Sequence, residues 1–326
     1  ETGLSIATIS KYMNGGTLKE KNRIAIERAV KKLDYTVNEY ARGLKSNKSR
    51  TIAVIIPELG SFFIAQIITK VEDIMRGRGY SVILCDCHGN EQMECKAVKF
   101  VLGKRVDGII NVPVCQDGRH LQPALTKKIP VVLLDRAILS LRSALDCVLT
   151  DNAGAANTAA DYLLKNGHRR IGILLGPRDG FTARQRLQGY QTALAEFGVS
   201  PANHLFAHSD DTVQGGYESM HRLLAADNGM TAVFVTSYEL TLGAVLAIKE
   251  RGIKIPQDLS FIGFDHKELA RVMHPSLTIV SQPLDEIGLH AANILLDRLT
   301  GNHHGAPISL LLSTRLQHGE SVMPLE

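Results

Sequence analysis

Asp135 and Asp265 each stand directly after a run of apolar residues, VVLL at 131–134 and SFIGF at 260–264. Ser237 follows TAVFVT, Gln282 follows LTIVS, and Arg184 and Arg186 open a helical stretch beyond RIGILLG at 170–176. Carboxylates and amides accept hydrogen bonds from ligand hydroxyls, and a guanidinium donates to them. As a set these groups suit non-covalent capture of a small polar molecule such as a sugar. The competing explanation is that each caps a helix or pairs with a neighbour. Catalytic signatures are missing. There is no G-x-S-x-G elbow, no G-x-G-x-x-G after a strand, and GILLGPRDG spaces its glycines wrongly and lacks a following Lys-Ser/Thr. Without a nucleophile and base in a recognisable arrangement, the expectation is a binding protein and not an enzyme.

Five cysteines lie at 85, 87, 95, 115 and 147. Cys85 closes the apolar run YSVILC and reads as a small core residue. Cys85-x-Cys87 beside His88 lacks the C-x2-C spacing and the second pair of a zinc site. His303-His304 beside Gly305 reads as a solvated turn. No metal and no cofactor are therefore expected. An odd cysteine count without framework spacing fits a reducing cytosol. No apolar run approaches the ~18 residues of a membrane span, and no basic stretch followed by an apolar core opens the chain. A cytoplasmic protein is the expectation.

The elements that must position the polar residues follow from periodicity. TIAVIIP (51–57) is a continuous apolar run ended by proline, the pattern of a strand buried on both faces. A helical stretch at 63–77 follows, then YSVILC (80–85), a polar stretch to Leu102, DGIINVP (107–113) and KKIPVVLLD (127–135). Alternation resumes after Asp151. Helices are expected at 154–167, 184–198, 215–227, 239–252 and 287–301, with strands at 170–176, 231–237, 259–265, 277–282 and an apolar run at 307–313. Repeated strand–helix alternation means parallel sheets covered on both faces, so the fold class is α/β with two doubly wound lobes. Ligands bind such sheets outside the carboxyl ends of the strands, where these polar residues stand.

Residues 1–50 differ in kind. They hold eleven Lys and Arg against five acids, a charge of +6, whereas the remaining 276 residues sum to −2. A basic head on a near-neutral body is the footprint of a polyanion partner. A solvated, lysine-rich helical face would give the same count. LSIATISKYMNGG (4–16) is a short hydroxyl-rich helical stretch without an acid, and RGLKSNKSR (42–50) has the composition of a linker.

The whole chain resembles the lactose-repressor family of bacterial transcription regulators. GLSIATISKYMNG, LDYTVNEYARGLKSNKS, DGII, LLDR, DNAGAA, LKNGHRRIGILLGP, RQRLQGYQTAL, LGAVLAI, IPQDLSFIGFD, HPSLTIVSQP and IGLHAANILLDRL carry the likeness. It implies a helix-turn-helix head and hinge helix at 1–49 and an effector-binding, dimerising core of periplasmic-binding-protein type at 50–326. Within that core, lobe 1 is expected at about 50–150 and 280–304, and lobe 2 at 151–279 and 305–326. The chain opens at Glu1, and the resemblance implies that the family's first helix lies upstream of it.

Ser5 is then the N-cap of the recognition helix. The family pattern puts the major-groove readers at Ile6, Ala7 and Lys11. Lys11 can donate to guanine, and the two apolar side chains can meet a thymine methyl. Ser5, Thr8, Ser10 and Asn14 take positioning or phosphate contacts. The segment 38–46 matches the hinge helix, with contacts at Asn38, Ala41 and Leu44, and Leu44 as the minor-groove wedge. Val37 replaces the family's usual proline, and Gly43 costs up to ~1 kcal/mol of helix propensity.

In the effector cleft GSFF replaces the usual Asn-Pro and Ser237-Tyr238 replaces a frequent Asn-Asp. Phe63 is the expected stacking residue. Arg184, Asp265, Asp135 and Gln282 match ligand-contacting positions, Ser237 joins them, and Arg186 is expected to serve the fold. The implied partners are double-stranded operator DNA, a sugar-like effector and a second copy of the chain. A periplasmic-type sugar-binding protein would share the two lobes, and an enzyme on that fold is a more remote alternative. Neither needs the basic head or NEYARGLKS.

Overall fold

The structure is a computed structural model describing residues 1–13, 16–35, 48–200, 205–226 and 229–325. It divides into two compact units, Glu1–Arg50 and Thr51–Glu326. In the first unit, helix Ile6–Met13 packs on helix Glu20–Leu33. The Ser5 hydroxyl accepts the Thr8 N–H at 3.3 Å, which caps the first helix at the position read from the sequence. Ile26 is buried at 1% exposure, and the Tyr12 hydroxyl donates to Glu27 at 3.3 Å. Asp34 ends the second helix in the left-handed region, with φ 45°.

The second unit holds two six-stranded sheets. The first runs β11-β5-β4-β3-β1-β2, with β1 Thr51–Ile56, β2 Ser81–Asp86, β3 Gly108–Asn111, β4 Val131–Leu134, β5 Asp146–Thr150 and β11 Ser309–Leu312. All its pairings are parallel. The second runs β12-β10-β9-β8-β6-β7, with β6 Ile171–Leu175, β7 Phe206–His208, β8 Ala232–Val235, β9 Ser260–Phe264, β10 Thr278–Ser281 and β12 Arg315–Gln317. Only β12 is antiparallel there. β1, β3, β4 and β5 are buried almost throughout, as their unbroken apolar runs require.

Three corrections to the sequence reading follow. Residues 305–313 do not belong to lobe 2. Leu310, Leu311 and Leu312 pair with Val148, Leu149 and Thr150, so β11 covers the open edge of the first sheet. The chain therefore passes between lobes after β5, after β10 and between β11 and β12. The polar stretch before Leu102 is a helix, Glu91–Gly103. Cys85 is only half-buried because β2 is an edge strand, and Cys87 is the core residue at 0% exposure. No described helix is long and apolar enough to cross a membrane.

Candidate effector cleft and nucleic-acid face

Between the lobes lies a cavity of about 410 Å³, lined at the carboxyl ends of both sheets. Asp135 follows β4, Asp265 follows β9 and Gln282 follows β10, and all three are buried. Ser237 also lines the cavity. It caps helix Tyr238–Glu250 and donates to Asp211 at 3.0 Å. Phe63 contributes from helix Phe62–Gly77. Five of the six expected effector residues thus share one cleft.

Arg184 does not. It is exposed and absent from the lining, whereas Arg186 lines the cleft at 7% exposure. Both belong to helix Phe181–Glu196, whose inward face is set by Ala183, Arg186, Gly189 and Tyr190. Two residues apart on a helix is about 200° of rotation, so only one can face inward. The Arg186 Nε donates to Asn152 Oδ1 at 2.8 Å, its Nη1 donates to the Thr236 carbonyl, and its guanidinium lies 4.1 Å from the Phe264 ring centroid. Arg186 therefore serves the fold and the cleft together.

The cleft is acidic. Its lining includes seven carboxylates, from Glu58, Asp135, Asp179, Asp210, Asp211, Glu239 and Asp265, against the guanidiniums of Arg136 and Arg186. Burial raises the pKa of Asp265 to about 6, opposed by hydrogen bonds from Gln282 and by the charge of Arg186. Burial likewise raises Asp135 and Glu239 and lowers Arg186. Gln282 Nε2 donates to Asp265 at 2.8 Å, and the Gln282 N–H donates to it at 3.1 Å. Buried Gln282 Oε1 and Glu239 Oε1 have no hydrogen-bond partner among the described residues. Orphaned buried acceptors are costly and call for a donor from elsewhere.

Asp135, Asp265 and His266 have φ of 64°, 56° and 49°. Left-handed non-glycine residues gather at functional sites because surrounding structure must hold them there. The mouth of the cleft is bridged. Phe62 from lobe 1 stacks on His266 of lobe 2 at 4.1 Å and tilts against Tyr238 at 5.4 Å. Gln116 Nε2 donates to the Asp179 carbonyl at 2.8 Å, also across the lobes. Phe63, chosen from the sequence as the residue to stack on an effector, lines the cavity, and the bridging role of its neighbour Phe62 was not foreseen. Adjacent phenylalanines at a helix start carry no signal for which one faces the core.

In the first unit, Ile6, Ala7 and Lys11 are all exposed, and Ile6 is 86% exposed. An isolated apolar side chain held out on a helix without acids suits a base edge better than water. Thr8 and Ser10 lie on the same helix, half-buried. Asn14, Asn38, Ala41 and Leu44 lie outside the described residues.

Comparison with known proteins agrees with this architecture. The family profile of a periplasmic binding protein-like domain matches residues 160–322. The transcriptional repressor CytR of Escherichia coli K12 is 34% identical over 316 residues, covering 94% of this chain and 90% of that protein. The chain belongs to the lactose-repressor family. A solved complex of the transcriptional regulator CelR with cellobiose has a TM-score of 0.76 at 28% identity, covering 98% of this chain and 97% of that one. The lac repressor dimer bound to operator and the anti-inducer ONPF shares the fold, with a TM-score of 0.88 at 24% identity over 99% of this chain and 96% of that chain. Members of this family are transcriptional regulators.

Proposed function

We propose that this chain is a dimeric repressor that reads operator DNA through Ile6, Ala7 and Lys11 and is switched by a neutral, polyhydroxylated effector held between the lobes. The convergence of Asp135, Asp265, Gln282 and Arg186 on one enclosed cleft carries this reading. The wall is rich in acceptors and negatively charged, so the ligand supplies hydroxyl donors and bears no anionic group. The CelR relative binds a neutral disaccharide, which agrees with this chemistry. Ser5, Thr8 and Ser10 position the helix on phosphates, and Asn14, Asn38, Ala41 and Leu44 extend the contact.

A ligand touching Phe63 and Asp135 in one lobe and Arg186, Ser237 and Asp265 in the other favours one lobe arrangement. Such coupling between two sites is typically ~1–3 kcal/mol and must be reciprocal. A thermal-shift screen over neutral sugars, sugar acids, sugar phosphates and nucleosides tests the effector class. A neutral ligand at 100 Kd should stabilise the protein by ~2.7 kcal/mol. Stabilisation by sugar phosphates alone would overturn the assignment.

Asp265 gives this cleft a pH signature. Its pKa in the free protein is about 6. Ligand hydroxyls donating to the carboxylate favour the ionised form and bring that raised pKa down. Binding near pH 6 should therefore release a proton, and affinity should rise as pH increases through that value. Calorimetry in buffers of different ionisation enthalpy reads the release directly, and proton uptake would contradict the role of Asp265 as acceptor.

Leu44→Ala tests the hinge. If Leu44 wedges into the minor groove, the variant loses operator bending and specific affinity while effector binding is unchanged. Permuted-fragment gel shifts measure the bend, and an unaltered bend angle would make Leu44 a plain linker residue.

A further inference from the structure

Behind the cleft wall formed by Val114, Cys115 and Gln116 lies a polar cluster that effector binding does not use. Glu94 and Asn111 are completely buried, and the His120 side chain is fully enclosed. The Glu94 carboxylate accepts the Cys115 N–H at 2.6 Å, the Val114 N–H at 3.1 Å and Asn111 Nδ2 at 2.9 Å. His120 Nε2 stands 3.3 Å from Glu94 Oε1 and 3.4 Å from Asn111 Nδ2. A carboxylate oxygen, the His120 ring nitrogen and the Cys115 sulfur lie within 4.8 Å of one another, the one such group of buried ligands among the described residues. Two further buried atoms in the cluster, His120 Nδ1 and Asn111 Oδ1, have no hydrogen-bond partner there.

We propose that Glu94, Cys115 and His120 bind a divalent transition metal of the zinc class. Bonds of about 2.0–2.1 Å to nitrogen and oxygen give tetrahedral edges of roughly 3.3 Å, the separation of Glu94 and His120 here. A mixed oxygen, nitrogen and sulfur set selects zinc-like ions over magnesium or calcium, which take oxygen ligands. Turning the Asn111 amide over brings its oxygen to the place now held by Nδ2, as a fourth ligand. Cys115 gives up its thiol proton to solvent on binding. It also lines the effector cleft, so the ion has an entry path. The metal would fix residues 113–116, and Gln116 is the residue that reaches across to Asp179. The site thus offers a second input to lobe closure, which presumes the effector reading, whereas metal binding itself does not.

The test is titration of the whole chain, stripped with chelator, with Zn²⁺ and separately with Co²⁺. One equivalent should bind tightly, and the Co²⁺ form should show a thiolate-to-metal charge-transfer band. Cys115→Ser should lose the band. His120→Gln should lower affinity by more than the ~10–100-fold that follows loss of a ligand's supporting partner. Circular dichroism of both variants checks the fold, and Glu94→Gln is avoided because Glu94 also clamps the 114–115 backbone. A His303→Ala, His304→Ala double variant should bind as the parent does. Binding that persists unchanged in Cys115→Ser and His120→Gln, or no stoichiometric binding at all, would overturn the proposal and leave a hydrogen-bonded clamp. Effector titrations run in parallel without metal keep this outcome separate from any failure of the effector reading.

Discussion

Arg186→Ala is expected to abolish the effector response and to cost the core about 3–5 kcal/mol, the range for removing one partner of a buried charge set. Arg186 is the buried cation among Asp135, Asp211 and Asp265, whose charges act on it. Its removal leaves those carboxylates to repel one another in a poorly solvated cleft, strips the donor from Asn152 and the Thr236 carbonyl, and empties the space over Phe264. Asp265 should then hold its proton to a pH higher than about 6, because the charge of Arg186 is among the influences that lower its pKa. Arg184→Ala, two residues away on the solvent side, should fall within about ±0.5 kcal/mol of the parent. Urea denaturation and effector titration of the two variants side by side check this. Equal behaviour of the pair would contradict the assignment of Arg186 to the cleft.

Gly189→Ala is expected to destabilise the core nearly as severely. A methyl group at Gly189 would stand 1.9 Å from the carbonyl oxygen of Ala153 and 2.7 Å from its carbonyl carbon. Helix Asn152–Lys165 crosses helix Phe181–Glu196 there, backbone against backbone, and neither can yield as a flexible side chain could. Alanine would gain up to ~1 kcal/mol of helix propensity. Overpacking costs typically 1–3 kcal/mol and at times more, and forcing two helices apart belongs at the upper end. Gly189 lies one turn beyond Arg186, so the displacement should weaken effector binding too. A net loss of ~2 kcal/mol should lower the melting temperature by about 4–8 °C, at 2–4 °C per kcal/mol for domains of this size. A variant melting with the parent would mean that the helices do not meet at Gly189.

Legibility in the sequence followed burial. β1, β4, β6, β8 and β9 were readable because strands covered on both faces must be apolar throughout, and β4 and β9 each carry a buried aspartate directly past their ends. Helix Glu91–Gly103 was not readable, because it breaks the amphipathic rule in both directions: Glu94 is wholly buried, while Met93 and Phe100 are exposed. Its carboxylate is tolerable inside only because the Val114 and Cys115 N–H groups of a distant loop and the Asn111 amide at the end of β3 meet it, and no local pattern reports such partners. β11 was placed in the wrong lobe because its apolar run fits either sheet edge. The confusion of Arg184 with Arg186 is one of helix phase. Fixing that phase needed the start of the helix, and Gly180 is an N-cap without a side chain to announce it. The first helix was the opposite case, since Ser5 and its hydrogen bond to the Thr8 backbone follow from four residues alone.

Effector-controlled operator binding is tested most directly by selecting duplex DNA from a random pool with the whole chain, then measuring its affinity by fluorescence anisotropy with and without the ligand found by thermal shift. Two inverted half-sites should emerge, because a two-fold dimer reads a two-fold site. The ligand should change affinity by about 5–150-fold, the span of ordinary coupling energies. Arg186→Ala should bind the same DNA and show no such change. An asymmetric single site, or one affinity with and without a ligand that demonstrably occupies the cleft, would contradict it.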